Sequence, residues 1–147
     1  MRIRELQATK SHSATIVDGD RRVGDVIELF NLSGCGAVIV RDDWRQLDSM
    51  LTERDVVQGL AGFGSALLDM PVSRLATTAA LSCAPDDHVT AVAMLMADRA
   101  TNYLAVRHAG RMVDIITIDD ILRERLADRR RATRAVFALA GGMAATA

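Results

Sequence analysis

Two short phrases hold the residue types best placed to do chemistry: Thr52-Glu53-Arg54-Asp55 and Thr117-Ile118-Asp119-Asp120. Each follows an apolar pair, Met50-Leu51 or Ile115-Ile116, and each closes with an aspartate three residues after its threonine. A threonine with an acidic residue at that spacing is close to a capping box, in which hydroxyl and carboxylate satisfy two free N–H groups at a helix start. Such a cap contributes about 1 kcal/mol and requires no ligand. The same helix start offers free N–H groups and a partial positive charge to an anion such as a phosphate. Arg54 would add a full charge close to it.

Both phrases belong to a longer repeat. Shifted by 66 residues, Val23–Phe30 falls on Val89–Met96 and Ala37–Val40 falls on Tyr103–Val106. A repeat carried twice argues against an open solenoid and for two units that bury each other's apolar faces. It also offers two similar clefts, which suits a binding module better than a single catalytic centre.

The elements that position the phrases follow in order. Ile3–Ala8 reads as a short helix and Ala14–Val17 as a strand, after which Asp18-Gly19-Asp20 turns and supplies aspartates to cap a helix from Val23. Val23, Val26, Ile27 and Phe30 mark one face of that helix. Gly34-Cys35-Gly36 ends it, Ala37–Val40 is a buried strand, Arg41-Asp42-Asp43 turns, and Leu47–Leu51 is the next strand. Thr52 opens a helix to about Leu60, and Gly59–Gly64 is a glycine-rich boundary. In the second half Val72–Ala76 echoes Ile3–Ala8, and Leu81–Ala84 is a strand followed by a turn at Pro85-Asp86-Asp87. A helix from His88 to Arg99, strands at Tyr103–Arg107 and Met112–Ile116 about a hairpin at Ala109-Gly110, and a helix opening at Thr117 complete it. The expected fold is α/β, two pseudo-symmetric β-α-β-β-α motifs packed through their sheets. The units are residues 1–62 with the N-terminal helix, 63–126, and a helical or disordered tail, 127–147.

Composition bounds the rest. The chain of 147 residues is half apolar and only 3% aromatic, so its core must be built from Val, Ile, Leu, Ala and Met. A net charge of −1 gives no global attraction to nucleic acid or anionic membrane. Met1–Leu6 lacks the apolar run of a signal peptide. The apolar tail from Ala135 is well short of the roughly 20 residues of a membrane span, which points to a soluble cytoplasmic protein. Cys35 and Cys83 form no disulfide framework and read as small buried thiols; neither has a signature histidine base, which argues against catalysis. His12, His88 and His108 lack metal-ligand spacing. Met94 and Met96 read as core, Arg99 as a helix-end charge, and Trp44 as exposed in the first hairpin. The six arginines from Arg123 to Arg134 read as a solvated helical face, without the aromatics of a nucleic-acid patch.

From about Met1 to Arg125 the order of elements and the phrase Leu51-Thr52-Glu53-Arg54-Asp55-Val56-Val57 resemble a tandem cystathionine-β-synthase (CBS) domain pair of the stand-alone bacterial type. Leu68–Ser73 resembles that family's connector between repeats. The resemblance implies a regulatory module, not an enzyme, that requires no cofactor and binds an adenine nucleotide (AMP, ADP, ATP, NAD or S-adenosylmethionine) between its motifs. It also implies a homodimer, with Val56, Val57, Leu60, Ile121 and Leu122 supplying the apolar faces, and a regulated partner protein. In the family's pattern the closing aspartate holds the ribose hydroxyls and the threonine contacts ribose or phosphate. Carried over, this gives Thr52 and Asp55 with Thr15, Ile16, Val17 and Ala37 for one site, to which the Arg54 charge at the helix start adds. Thr117 and Asp120 with Cys83, Tyr103 and Leu104 form the other. Where the family has glycine three residues before the threonine, this chain has Ser49 and Asp114, and Asp114 would bring a negative charge toward any phosphate at the second site. The alternative is therefore a degenerate pair that serves as a dimerisation or docking scaffold without nucleotide.

Overall fold

A computed structural model describes residues 1–42 and 47–145. Trp44 and the end of the turn begun at Arg41 lie outside the described residues. The first half consists of α1 (Ile3–Thr9), β1 (Ile16–Asp18), α2 (Val23–Ser33), β2 (Ala37–Asp42), β3 (Leu47–Thr52) and α3 (Glu53–Phe63). Two 3₁₀ turns, Gly64–Asp69 and Val72–Arg74, lead to β4 (Ser82–Cys83), α4 (Val89–Asp98), β5 (Tyr103–His108), β6 (Arg111–Thr117) and α5 (Ile118–Ala145).

The repeat in the sequence is a repeat in space. Each half carries a three-stranded sheet, in the orders β1-β2-β3 and β4-β5-β6, with a parallel first pair and an antiparallel second. Ile16 lies opposite Ile39, and Ser82, 66 residues on, opposite Ala105. The third strands keep a shift of 65, from Thr52 to Thr117. A two-residue turn joins β5 to β6, with Ala109 and Gly110 both at positive φ, 52° and 78°. That geometry suits the twist of a hairpin and explains the glycine. A register shift at Val106/Arg107 then leaves Val113 without a partner in β5.

Both faces of each sheet are covered, which is why β2 and β5 read as unbroken apolar runs rather than alternating ones. Val38, Val40 and Leu51 face Val23 and Val26 of α2 and Val56 of α3. Leu104, Val106 and Ile116 face Val92 and Met96 of α4 and Ile121 of α5. Between the sheets, Ala37, Ile39 and Met50 meet Ala105, Met112 and Ile115. Each fully buried aliphatic side chain here stabilises the fold by about 1.5–3 kcal/mol.

The halves also exchange their leading segments. Ile3 and Leu6 of α1 lie in the core of the second half, and the Ile3 amide donates to the Asp87 carbonyl at 2.9 Å. Leu67 and Val72 of the connector lie in the core of the first half, and the Val23 amide donates to the Met70 carbonyl at 2.9 Å. Chain order groups α1 with residues 1–62, but its apolar face packs where surface is open. The connector already covers the corresponding surface of the first half.

Several local expectations shift for related reasons. Asp18 and Asp20 do not cap α2: Arg22 is the N-cap without a side-chain bond, because the Met70 carbonyl takes the first amide. The glycine-rich stretch is no linker, since α3 runs to Phe63. Gly59 is buried inside α3, where a Cβ would come within 2.8 Å of Leu67 Cδ1. Val72–Ala76 makes only a 3₁₀ turn over Val72–Arg74. β1 and β4 are shorter than expected, although the Ile39 amide still donates to the Thr15 carbonyl at 2.9 Å. Met94 is not core but 63% exposed, because α4 presents Val89, Val92 and Met96 inward. Val56 and Ile121 are themselves core, which leaves Val57, Leu60 and Leu122 as the exposed members of the expected apolar faces. α5 continues through the tail as helix, exposed from Asp128 to Gly141.

Candidate functional site

Both threonine phrases form complete capping boxes. The Asp55 amide donates to Thr52 Oγ1 at 3.4 Å, and Asp55 Oδ2 accepts from the Thr52 amide at 2.8 Å and from its hydroxyl at 3.1 Å. The Asp120 amide donates to Thr117 Oγ1 at 3.1 Å, while Asp120 Oδ2 accepts from the Thr117 amide at 2.9 Å. Each helix is also anchored to the start of a central strand. The Glu53 amide donates to the Gly36 carbonyl at 2.8 Å, and the Ile118 amide to the Asn102 carbonyl at 3.0 Å. The boxes use one oxygen of each carboxylate. Oδ1 of Asp55 and Oδ1 of Asp120 accept no hydrogen bond among the described residues, and both side chains are half-exposed.

Sheet topology gathers the candidate residues at one end of each sheet, because β1 and β2 start where β3 finishes. Thr52 lies opposite Ala37, and Thr117 opposite Tyr103. The start of α3 also meets the other half. Tyr103 Oη donates to Glu53 Oε1 at 3.0 Å, and this pair lies across Gly36, where a Cβ would collide with both side chains. Burial and the Glu53 carboxylate push the Tyr103 hydroxyl up to about 12. Arg54 is exposed and has no partner among the described residues.

The remaining expected site residues divide by exposure. Thr15 and Ile16 are exposed, and Ala37 is buried between the sheets. Val17, Cys83 and Leu104 point into the cores of their own halves and would offer a ligand no side-chain surface. Burial, with Asp87 and Asp114 nearby, pushes the Cys83 thiol up to about 12, so it stays neutral and unreactive. Cys35 is half-buried beside the inter-sheet layer rather than fully buried.

Two polar clusters between the halves have partners that no motif announces. Asp48 is buried, and its carboxylate accepts from Arg41 Nε at 3.1 Å, Arg111 Nε at 2.9 Å and the Met112 amide at 2.9 Å. Burial alone would raise its pKa. The Arg111 and Arg41 guanidiniums and the Met112 amide outweigh this and hold it at about 2. Asp114 accepts from Lys10 Nζ at 2.7 Å, Gln7 Nε2 at 3.1 Å, the Ala14 amide at 3.1 Å and the Ile115 amide at 2.9 Å. Its negative charge is thus matched by Lys10 and is not left facing the second site. The available signals were an aspartate inside each largely apolar strand and, for Asp114, its place where the family has glycine. Among the described residues, no group of His, Cys, Asp and Glu could hold a metal ion, and no helix is long and apolar enough to cross a membrane.

These observations define a doubled α/β module with a capped helix start at the end of each sheet. The CBS domain family model matches residues 72–127. No curated protein matches the sequence. Solved structures match almost the whole chain. A CBS-domain-containing protein from Agrobacterium tumefaciens is 26% identical, with a TM-score of 0.75 over 84% of this chain and 92% of its own. A protein with CBS domains from Burkholderia ambifaria is 21% identical, with a TM-score of 0.75 over 87% and 96%. A hexameric CBS-CP12 protein from bloom-forming cyanobacteria is 22% identical, with a TM-score of 0.68 over 94% and 87%. Residues 72–127 thus match the CBS domain, and the first half repeats the fold of that matched second half, consistent with a tandem CBS pair.

Proposed function

We propose that this CBS pair is a cytoplasmic regulatory module, not an enzyme, and that it takes an adenine nucleotide as regulatory ligand where the start of α3 meets the second sheet. The observation that carries this reading is Asp55. Its Oδ2 is held by the capping box while Oδ1 has no donor among the described residues, so capping and ribose binding can use one carboxylate at once. Hydrogen bonds to a charged group are worth about 1.5–3 kcal/mol. The α3 start and Arg54, which is exposed and has no partner among the described residues, suit a phosphate. Ligand would act by binding one arrangement of the two halves better than another, and so alter a partner protein. The test is calorimetric titration with AMP, ATP, NAD and S-adenosylmethionine. Asp55→Ala is expected to weaken the best ligand roughly ten- to a hundredfold. Unchanged affinity in a folded variant would defeat the ribose assignment.

A scaffold role without nucleotide is the second reading, and a different observation favours it. Val57, Leu60 and Phe63 of α3 and Leu122 and Leu126 of α5 are 43–65% exposed. Apolar helix faces of this kind mark association surfaces. Both readings include a homodimer, and the cyanobacterial relative is itself hexameric. Sedimentation at micromolar concentration checks this, with a closed symmetric dimer expected. Dimer formation together with no binding of any of the four ligands would favour the scaffold.

A further inference from the structure

We propose that Asp114 is an internal plug: it closes the seam beside the start of α5, so that each chain takes one nucleotide, beside α3, and none beside α5. The proposal rests on the nucleotide reading above and adds the number of sites and the reason for it.

The contrast lies at the two edge strands. β3 turns the N–H and C=O of Met50 away from its own sheet, and β6 those of Ile115. At Met50 both groups pair with backbone of the connector: the Met50 amide donates to the Thr77 carbonyl and the Thr77 amide to the Met50 carbonyl, each at 3.0 Å. At Ile115 side chains replace backbone. The Ile115 amide donates to Asp114 Oδ1 at 2.9 Å, and Lys10 Nζ donates to the Ile115 carbonyl at 2.7 Å. Asp114 Oδ1 also accepts from the Ala14 amide at 3.1 Å. A carboxylate is therefore wedged between β6 and the segment that leads into β1, and that segment's amide is already committed; Thr15, next to Ala14, thus lies on this seam and not on the one at Met50, where the facing residue is Thr77.

Removing this wedge is costly. The Lys10 and Asp114 side chains are only 9% and 7% exposed. A ligand entering there would separate a buried ion pair and strip the Gln7 amide of its acceptor, and breaking a buried pair from one side is strongly destabilising. Beside α3 the only side-chain link across the seam among the described residues is the hydrogen bond from Tyr103 to Glu53. Glu53 is exposed, so Tyr103 can swing away and leave no buried charge behind. The seam at Ile115 is thus held by a buried ion pair, whereas the seam at Met50 is held by backbone hydrogen bonds with no buried ion pair across it among the described residues.

The test is binding stoichiometry with AMP as the probe, by native mass spectrometry and calorimetry. Four proteins are compared: the parent, Asp55→Ala, Asp120→Ala, and the double variant Lys10→Met/Asp114→Gly, which removes both charges together. The parent is expected to bind one AMP per chain. Asp55→Ala should weaken it about tenfold or more, and Asp120→Ala by less than about twofold. The double variant should gain a second equivalent. Two equivalents on the parent, loss of the single one in Asp120→Ala, or a folded double variant with no gain would overturn the plug. If the double variant does not fold, the two aspartate variants decide. No binding by the parent overturns the α3 reading instead. In that case one equivalent gained by the double variant still supports the plug, and no gain overturns both.

Discussion

Asp48 and Asp114 are both buried carboxylates in the third strand of their half, and both bond across to the other half, yet they occupy unlike positions. At the shift that carries Thr52 to Thr117, Asp48 corresponds to Val113 and Asp114 to Ser49. Asp48 is held by two guanidiniums and a backbone amide near the hairpins. Asp114 is held by one ammonium, a side-chain amide and two backbone amides near the segment entering β1. Arginine presents a planar fork that fixes direction, whereas lysine is a point charge on a flexible stem. The duplicated frame therefore repeats its strands and caps, while the joints between halves are made once each, with different chemistry and different stiffness.

The largest expected effect breaks the stiffer joint. Asp48→Ala leaves Arg41, Arg111 and the Met112 amide facing an empty site and should cost about 3 kcal/mol. In a chain of this size that lowers Tm by roughly 6–12 °C in a thermal melt. Asp114→Ala should cost less, about 2 kcal/mol, because it strands one cation, Lys10, rather than two. Equal losses would erase the distinction between the joints.

Acid unfolding sharpens the same contrast. The Asp48 carboxylate sits at about 2 in the folded chain against an ordinary 3.8. Its contribution is therefore complete above 3.8 and is lost as pH falls through 3.8 toward 2. Asp48→Asn should flatten urea-measured stability over that window by about 2 kcal/mol relative to the parent.

The caps are where the halves should behave alike. Thr52→Ala and Thr117→Ala each remove one capping box and should each cost about 1 kcal/mol by denaturant titration. A cost confined to one of them would show that the boxes are not energetically equivalent.

The smallest effect is spectroscopic. Tyr103 is the single tyrosine, so an alkaline absorbance titration reads it alone. Its midpoint is expected near 12, and Glu53→Gln should move it back toward the ordinary 10. With the folded value raised, this contribution to stability is present below 10 and lost as pH rises through 12.

Much of the frame could be read from the chain alone. The repeat, the two threonine phrases at helix starts, the apolar runs of β2 and β5 and the glycine of the second hairpin are local signals. Periodicity, capping and turn geometry act over a few residues, so sequence carries them. What only the tertiary structure decided involves residues far apart in the chain. Whether α1 packs on its own half or the other depends on which apolar surface the connector has already covered. Whether Val56 or Val57 faces solvent depends on the rotation of α3 against β2 and β3. Asp48 and Asp114 look in sequence like charges out of place in strands. Their partners lie 63 and 104 residues away, at Arg111 and Lys10. Composition and spacing place a carboxylate in a strand, but only the docking of the halves brings the cations that let it stay buried and charged.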